Sequence, residues 1–438
     1  MLNSPRFLGL PVRCHAHLSS AARPAFLLLC LLLSAALAGA QTFSVLHTFT
    51  GLLDGISPNG LNMDRSGNLY GATGSGGVNN AGIVFKMSYR NSVWALTPLY
   101  DFTGGYNGDG QQPVGVMVGP DGRLYGATQY GGSSACYLGC GTVFSLAPPP
   151  TVCKSTFCPW KETQLYVFQG TDGALPTNAD LVFDSFGNIY GTTSQGGTPE
   201  LCTQYGCGAA YQLSKSNGSW TGQIIYHFEQ GPGFDPYAGM ISDSAGNLYG
   251  TTVGGGTYDY GTVYKLTQQN GAWSQSTMYD FTPSPDFGAW PQAGLTSDNH
   301  GNLFAATWNS GPEGGGVAIQ LSPVGEGWNA SLVYAFLGAG ANPAGPTYSL
   351  TSDGAGNLYG ATESDGTFNY GTIFELSYQN GTWVYTLLHD FTGGSDGAYP
   401  SSKVILDSQG NLYGSAATGG NTTANCPDGC GVVWEITP

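Results

Sequence analysis

One pentapeptide, Gly67-Asn68-Leu69-Tyr70-Gly71, returns six more times with small changes, and this repetition restricts the fold more than any other feature. Its aromatic falls at Tyr70, Tyr125, Tyr190, Tyr249, Phe304, Tyr359 and Tyr413, so successive intervals are 55, 65, 59, 55, 55 and 54 residues. A unit repeated at such a period cannot bury its apolar face alone and must stack on its neighbours. Four short apolar runs make up each unit, and the first copy displays them: Gly60 to Asp64, Asn68 to Thr73, Gly82 to Met87, and Trp94 through to Phe102. All are β-branched or aromatic and bounded by Gly, Asn, Asp or Ser, which predicts strands, here named a, b, c and d. No segment between them keeps an apolar period of 3.6 long enough for a helix.

Four antiparallel strands per unit, in roughly four to eight units, predict a β-propeller. The ends of the chain sharpen this. Phe43 to Phe49 matches run d, as in Leu387 to Phe391, whereas the seventh copy stops at run c just before Pro438. The N-terminal strand is therefore expected to complete the last sheet, giving an all-β, seven-bladed propeller without a naked edge. The expected blades are 50–103, 104–169, 170–229, 230–282, 283–337, 338–392 and 393–438 plus 41–49. Small side chains in run b and bulky ones in c and d imply a taper, with a innermost and d outermost. Since blades pack on both faces, both alternations of each strand are expected to be largely apolar.

Residues 1–40 read as an export signal. Arg6, Arg13 and Arg23 precede an apolar stretch from Ala25 to Leu37, and Ala38-Gly39-Ala40 offers a small-residue cleavage site. No later run is long enough to span a membrane. Without those three arginines, nine basic residues face 28 acidic ones, a net charge of −19. Such a surface argues against nucleic acid as a partner. A monomer is expected.

Two of the ten cysteines, Cys14 and Cys30, lie in the signal. The rest form close pairs: Cys136 with Cys140, Cys153 with Cys158, Cys202 with Cys207 and Cys426 with Cys430. In an exported chain these read as disulfides. Three pairs end immediately before the glycine that opens run c, which suggests staples across one type of loop. Zinc is the competing reading, but no histidine lies near a pair. No metal or cofactor is expected.

The repeat, Gly-Asn-Leu-Tyr-Gly-[Ala/Thr]-Thr followed by Gly-Gly and then Gly-Thr-Val-Phe-x-Leu, resembles the GloVer tandem-repeat family of exported bacterial proteins. The resemblance covers essentially all of the chain after residue 40. It implies a bacterial exported repeat protein and carries no established activity and no catalytic residues. A looser similarity to kelch repeats rests on the Gly-Gly after the second strand.

Strand parity puts the b–c and d–a connections on one face and the a–b and c–d turns on the other. The first face has the longer, more variable loops, and function is usually carried there. It holds the Asp-Gly segments at Asp54, Asp109, Asp172 and Asp396 and many aromatics, among them Tyr237, Trp290, Trp308 and Tyr399. Rings beside carboxylates suit sugar binding, since a ring stacks on the apolar face of a sugar while polar groups take its hydroxyls. The plainer reading is that the rings pack the loops together. The a–b aspartates, repeated from Asp64 to Asp407, read as turn formers.

Catalytic signals are sparse. His47, His227 and His389 fall on outer strands and His300 in an a–b turn, which leaves no triad near the axis. Gly393 to Gly397 matches Gly-x-Ser-x-Gly, but no helix follows. The nearest calcium-loop match, Asn107 to Gly110, lacks its first ligand. The expectation is an exported module that binds a glycan or protein on the loop-rich face, the alternatives being a carboxylate-dependent enzyme acting on polysaccharide or a spacer that binds nothing.

Overall fold

The computed structural model describes residues 41–149, 160–177, 180–197, 202, 205–282, 287–325, 327–338 and 345–438. Every regular element among them is a strand. The first blade is built from Ile56–Met63, Leu69–Ser75, Ile83–Arg90 and Val93–Asp101, paired antiparallel in that order. Five further sheets repeat the arrangement, and the seventh is completed by Thr42–Thr48 beside Val432–Thr437. Phe49 N donates to Gly431 O at 3.0 Å, just as Phe102 N does to Gly82 O within blade 1. The all-β, seven-bladed ring and its borrowed strand are as the repeat predicts.

Local chemistry explains the turns. Asp243 Oδ1 accepts from Ala245 N and Asn247 N, both at 2.9 Å, while Oδ2 accepts from Asn247 Nδ2 at 2.7 Å and Tyr249 OH at 2.8 Å. The Asn and Tyr of the pentapeptide are thus spent on the aspartate that precedes them. Those bonds to the charged form hold Asp64, Asp243 and Asp407 below the ordinary carboxylate range despite the opposing cost of burial. In blade 2, where Gly119 replaces this aspartate, the Tyr125 ring fills its place and Tyr125 OH turns to Asp121 at 2.9 Å.

The core is distributed over seven clusters, one at each seam between blades. A tryptophan at the start of strand d wedges against the pentapeptide aromatic of the preceding blade: Trp94 on Tyr413, Trp160 on Tyr70, Trp220 on Tyr125, Trp273 on Tyr190 and Trp383 on Phe304, all at 5.9–6.4 Å. The second pentapeptide glycine has an equally specific cause. In six blades it pairs directly across the ladder with an aromatic of strand c that lies over it, Gly250 with Tyr264 for instance; in blade 5 both change together, to Ala305 and Ile319. Strand d departs from expectation. Its residues alternate between half-buried and exposed, as in Ala272–Asp280, where Trp273 packs on the preceding blade while Ala272 and Ser274 on the other face are exposed.

Strand a is innermost. It spans eight residues in blades 1 and 2 but only two in blades 3 to 6, for instance Ile241–Ser242. The chain takes six steps from Pro58 to Asp64 but seven from Pro236 to Asp243, and the extra residue breaks the ladder beside the axis. Side chains of strand a and the residues around it, joined in blade 4 by Thr251 of strand b, latch neighbouring blades across five seams. Ser401 Oγ donates to Pro58 O at 2.5 Å, Asn59 Nδ2 to Pro113 O at 3.1 Å, Thr177 Oγ1 to Tyr237 O at 2.6 Å, Thr251 Oγ1 to Ala293 O at 2.9 Å and Thr351 Oγ1 to Val404 O at 2.5 Å.

Candidate functional site

The residues nominated from sequence scatter over the loop-rich face. Each of the four Asp-Gly carboxylates is engaged within its own d–a loop. Asp109 accepts from Tyr100 OH at 2.5 Å and from Thr103 N and Oγ1 at 2.9 and 2.7 Å. Asp172 accepts from Tyr166 OH at 2.6 Å and Gln169 N at 2.7 Å. Asp54 and Asp396 each accept from a threonine in the loop and lie 3.3 and 3.2 Å from His47 and His389. Trp290 and Tyr399 occupy the residue before a proline with φ near +56°, and each packs on the tyrosine at the end of the neighbouring b–c loop, Trp290 tilted over Tyr260 and Tyr399 edge-on to Tyr370. Trp308 N donates to Trp290 O at 3.4 Å.

Disulfides join Cys136 to Cys140, Cys202 to Cys207 and Cys426 to Cys430, with Cα atoms 5.1–5.4 Å apart. All three sit on b–c loops of this face. Cys153 and Cys158 lie outside the described residues, as do residues 1–40.

Of the nominated residues, Tyr237 alone stands at the axis. Burial raises its pKa first, and then the nearby charges of Asp235, of Glu363 in blade 6 and of Tyr130 in blade 2. It borders a cavity of about 200 Å³ with Tyr348 of blade 6, Asn59, Gln129, Thr177, Asp180 and Lys403. The floor is an ion pair across the ring: Lys403 Nζ of blade 7 lies 2.6 Å from Asp180 Oδ1 of blade 3. Both side chains remain about one-third exposed, so the pair is partly wet rather than sealed in protein. Burial pushes Asp235 up to about 6 and raises Glu363 from its ordinary value. Tyr348 is raised by burial and then by Tyr237 and Glu363.

A larger cavity of about 1420 Å³ lies below the ion pair, bounded by strands a and by the a–b turns of blades 7 and 1. Its turn carboxylates, Asp64 and Asp407, already hold their own loops by three or more bonds each. The chemistry is therefore better placed above the floor, where hydrogen-bonding groups and rings converge from several blades. No group of three or more His, Cys, Asp or Glu able to hold a metal occurs among the described residues.

Sequence reasoning missed Asp180, Asp235, Tyr348, Glu363 and Lys403. A signal existed. The position after the threonine of run b is filled differently in every blade, by Gly74, Gln129, Ser194, Val253, Trp308, Glu363 and Ala417, although its flanks are nearly constant. Lys403 is also the sole lysine among the a runs.

Fold and site together define a seven-bladed β-propeller with a polar, tyrosine-bordered axial pocket. The Gloeobacter/Verrucomicrobia repeat model matches residues 32–203 and 202–426, and the chain belongs to that family. No curated protein matches it in sequence. Among solved structures, it resembles the extracellular domain of a protein assigned as a hybrid two-component system of B. thetaiotaomicron: 12% identity, TM-score 0.52, 90% of this chain and 39% of that one. A protein of Bacteroides uniformis assigned as a 6-phosphogluconolactonase gives 13% identity and a TM-score of 0.49 over 82% of this chain and 88% of that one. An ulvan lyase gives 11% and 0.49 over 82% and 92%. At such identities the first likeness speaks to fold alone, and the other two carry no argument.

Proposed function

We propose that the axial pocket on the loop-rich face binds a glycan. The carrying observation is the joint placement of the Tyr237 and Tyr348 rings beside Asn59, Gln129, Thr177, Asp180 and Lys403 around one cavity. An aromatic face with a few convergent hydrogen-bonding groups is what a sugar ring requires. Trp290, Trp308 and Tyr399 would extend this surface outward, and Asp54, Asp109, Asp172 and Asp396 would shape the loops that carry them. The three loop disulfides support an exported protein, with residues 1–40 as its leader, since such bonds persist in oxidising compartments. Among the described residues no helix is long and apolar enough to cross a membrane. A glycan array followed by calorimetry tests the reading. Tyr237→Ala should weaken the best ligand at least ~10-fold, the loss of about 1.4 kcal/mol of stacking; an empty array, with a protein captured from culture medium instead, would overturn it.

One observation favours turnover as a second reading. Asp235 and Glu363 both lie near enough to Tyr237 for their charges to raise its pKa, and burial raises their own, the condition a general acid in glycoside hydrolysis needs. Reducing-sugar release from a polysaccharide panel, abolished by Asp235→Asn or Glu363→Gln, would establish it.

A further inference from the structure

The axial cavity divides into two chambers at the Asp180–Lys403 pair. Asp180 and Lys403 border both the ≈200 Å³ chamber above and the ≈1420 Å³ chamber below. Their carboxylate and ammonium meet at 2.6 Å from nearly opposite blades, so the pair crosses the axis. Nothing in the repeat requires this contact, because the equivalent position to Lys403 in blade 4 is Gly239 and in blade 5 Gly294. Gly239 itself leaves no room at the floor. A Cβ there would stand 2.4 Å from Asp180 O and 2.6 Å from its Cβ. Strand a of blade 4 is thereby pressed onto the segment that carries the carboxylate, which fixes Asp180 in reach of Lys403.

We infer that this ion pair makes the pocket a blind site that reads the end of a glycan chain. The inference rests on the glycan reading above. About 200 Å³ is below the ~300 Å³ at which drug-sized sites begin, so one sugar ring fills it. With the floor shut, a chain enters only by its terminal residue, and the rest leaves by the loop face past Tyr237. A ring inside meets Asp180 as a hydroxyl acceptor and Lys403 as a donor, so the groups that block the channel also read the terminal hydroxyls. Affinity should accordingly stop rising once the terminal ring and the unit at the mouth are bound.

Calorimetry with linear cello-, malto-, laminari-, xylo- and manno-oligosaccharides from two to six units tests this, with cyclic maltohexaose and hexaoses immobilised through either end. For the series that binds, free-ended chains of one polarity should bind, cyclic or end-blocked chains should not, and affinity should level off after two or three units. Replacing both floor residues, Asp180→Ala with Lys403→Ala, avoids stranding one charge and opens the floor to the lower chamber. In that variant, checked for folding by its melting transition, the six-unit chain should bind at least ~10-fold tighter than the two-unit chain. Equal binding of blocked and free ends, or a length dependence unchanged by the double replacement, would overturn the chain-end inference while leaving glycan binding intact. If no series binds, both fall, and the Tyr237→Ala comparison loses its object.

Discussion

Blade 5 contains a natural experiment that can be transplanted. In blade 4, Gly250 lies beneath Tyr264, and a Cβ on Gly250 would stand 2.4 Å from the tyrosine oxygen and 2.6 Å from Cζ, with no other atom as close. The phenol is completely buried and its hydroxyl has no hydrogen-bond partner among the described residues, so it has no way to swing aside. Gly250→Ala should therefore cost about 1–3 kcal/mol by overpacking. Tyr264→Ile alone should cost a similar ~1–3 kcal/mol, since the lost aromatic contacts outweigh relief of the orphaned hydroxyl. Together the two reproduce the Ala305–Ile319 pair, in which both residues are fully buried without conflict. In that background Gly250→Ala should become neutral or stabilise by about 0.4–1 kcal/mol, because alanine restricts the unfolded chain at a position of ordinary strand conformation. The coupling energy is then about 1–4 kcal/mol. Urea denaturation of the four proteins followed by tryptophan fluorescence measures it. Losses additive within about 0.5 kcal/mol would refute the claim that the pentapeptide glycine exists to seat the strand-c aromatic.

Two further outcomes follow from the geometry. Glu162 is held up to about 7, first by burial and then by Asp109, and its buried Oε1 has no hydrogen-bond partner among the described residues. A carboxyl raised in the folded state adds stability in acid and loses it as pH climbs from its unfolded value through about 7. Glu162→Gln should therefore stabilise by about 1–2 kcal/mol near pH ~8 and by nothing resolvable near pH ~5, read from melting curves; a pH-independent difference would contradict the assignment. Replacing Cys136 and Cys140 together by serine removes a five-residue ring from the unfolded chain, which predicts a loss of about 2 kcal/mol in urea denaturation; reductant, which opens all three loop disulfides, should cost the parent protein more.

Much of the fold was legible because its instructions are local and repeated. Asp243, Gly246, Asn247 and Tyr249 lie within seven residues, and their mutual bonds form one turn, so the repeat reports it directly. Ring closure was legible for a related reason: Phe43 to Phe49 carries the strand-d pattern, and a sheet lacking its outer strand has one place for it. The functional nominations fared differently. Asp109 and Asp172 sit in recognisable Asp-Gly segments, but the groups that occupy them, Tyr100 and Thr103 for the first and Tyr166 and Gln169 for the second, come from the preceding strand and loop. A carboxylate that looks free in a sequence is spent when a donor folds onto it.

The chain by itself determined its strands, its turns, the order of strands within each blade and the number of blades, since each depends on contacts within about one repeat. Tertiary structure alone decided the axial pocket. Tyr237, Tyr348, Asp180 and Lys403 come from four blades, and Asp180 and Lys403 are 223 positions apart. Their meeting depends on the ring diameter and on how far each irregular strand a leans inward, and these follow from packing summed over seven seams, which no single repeat encodes.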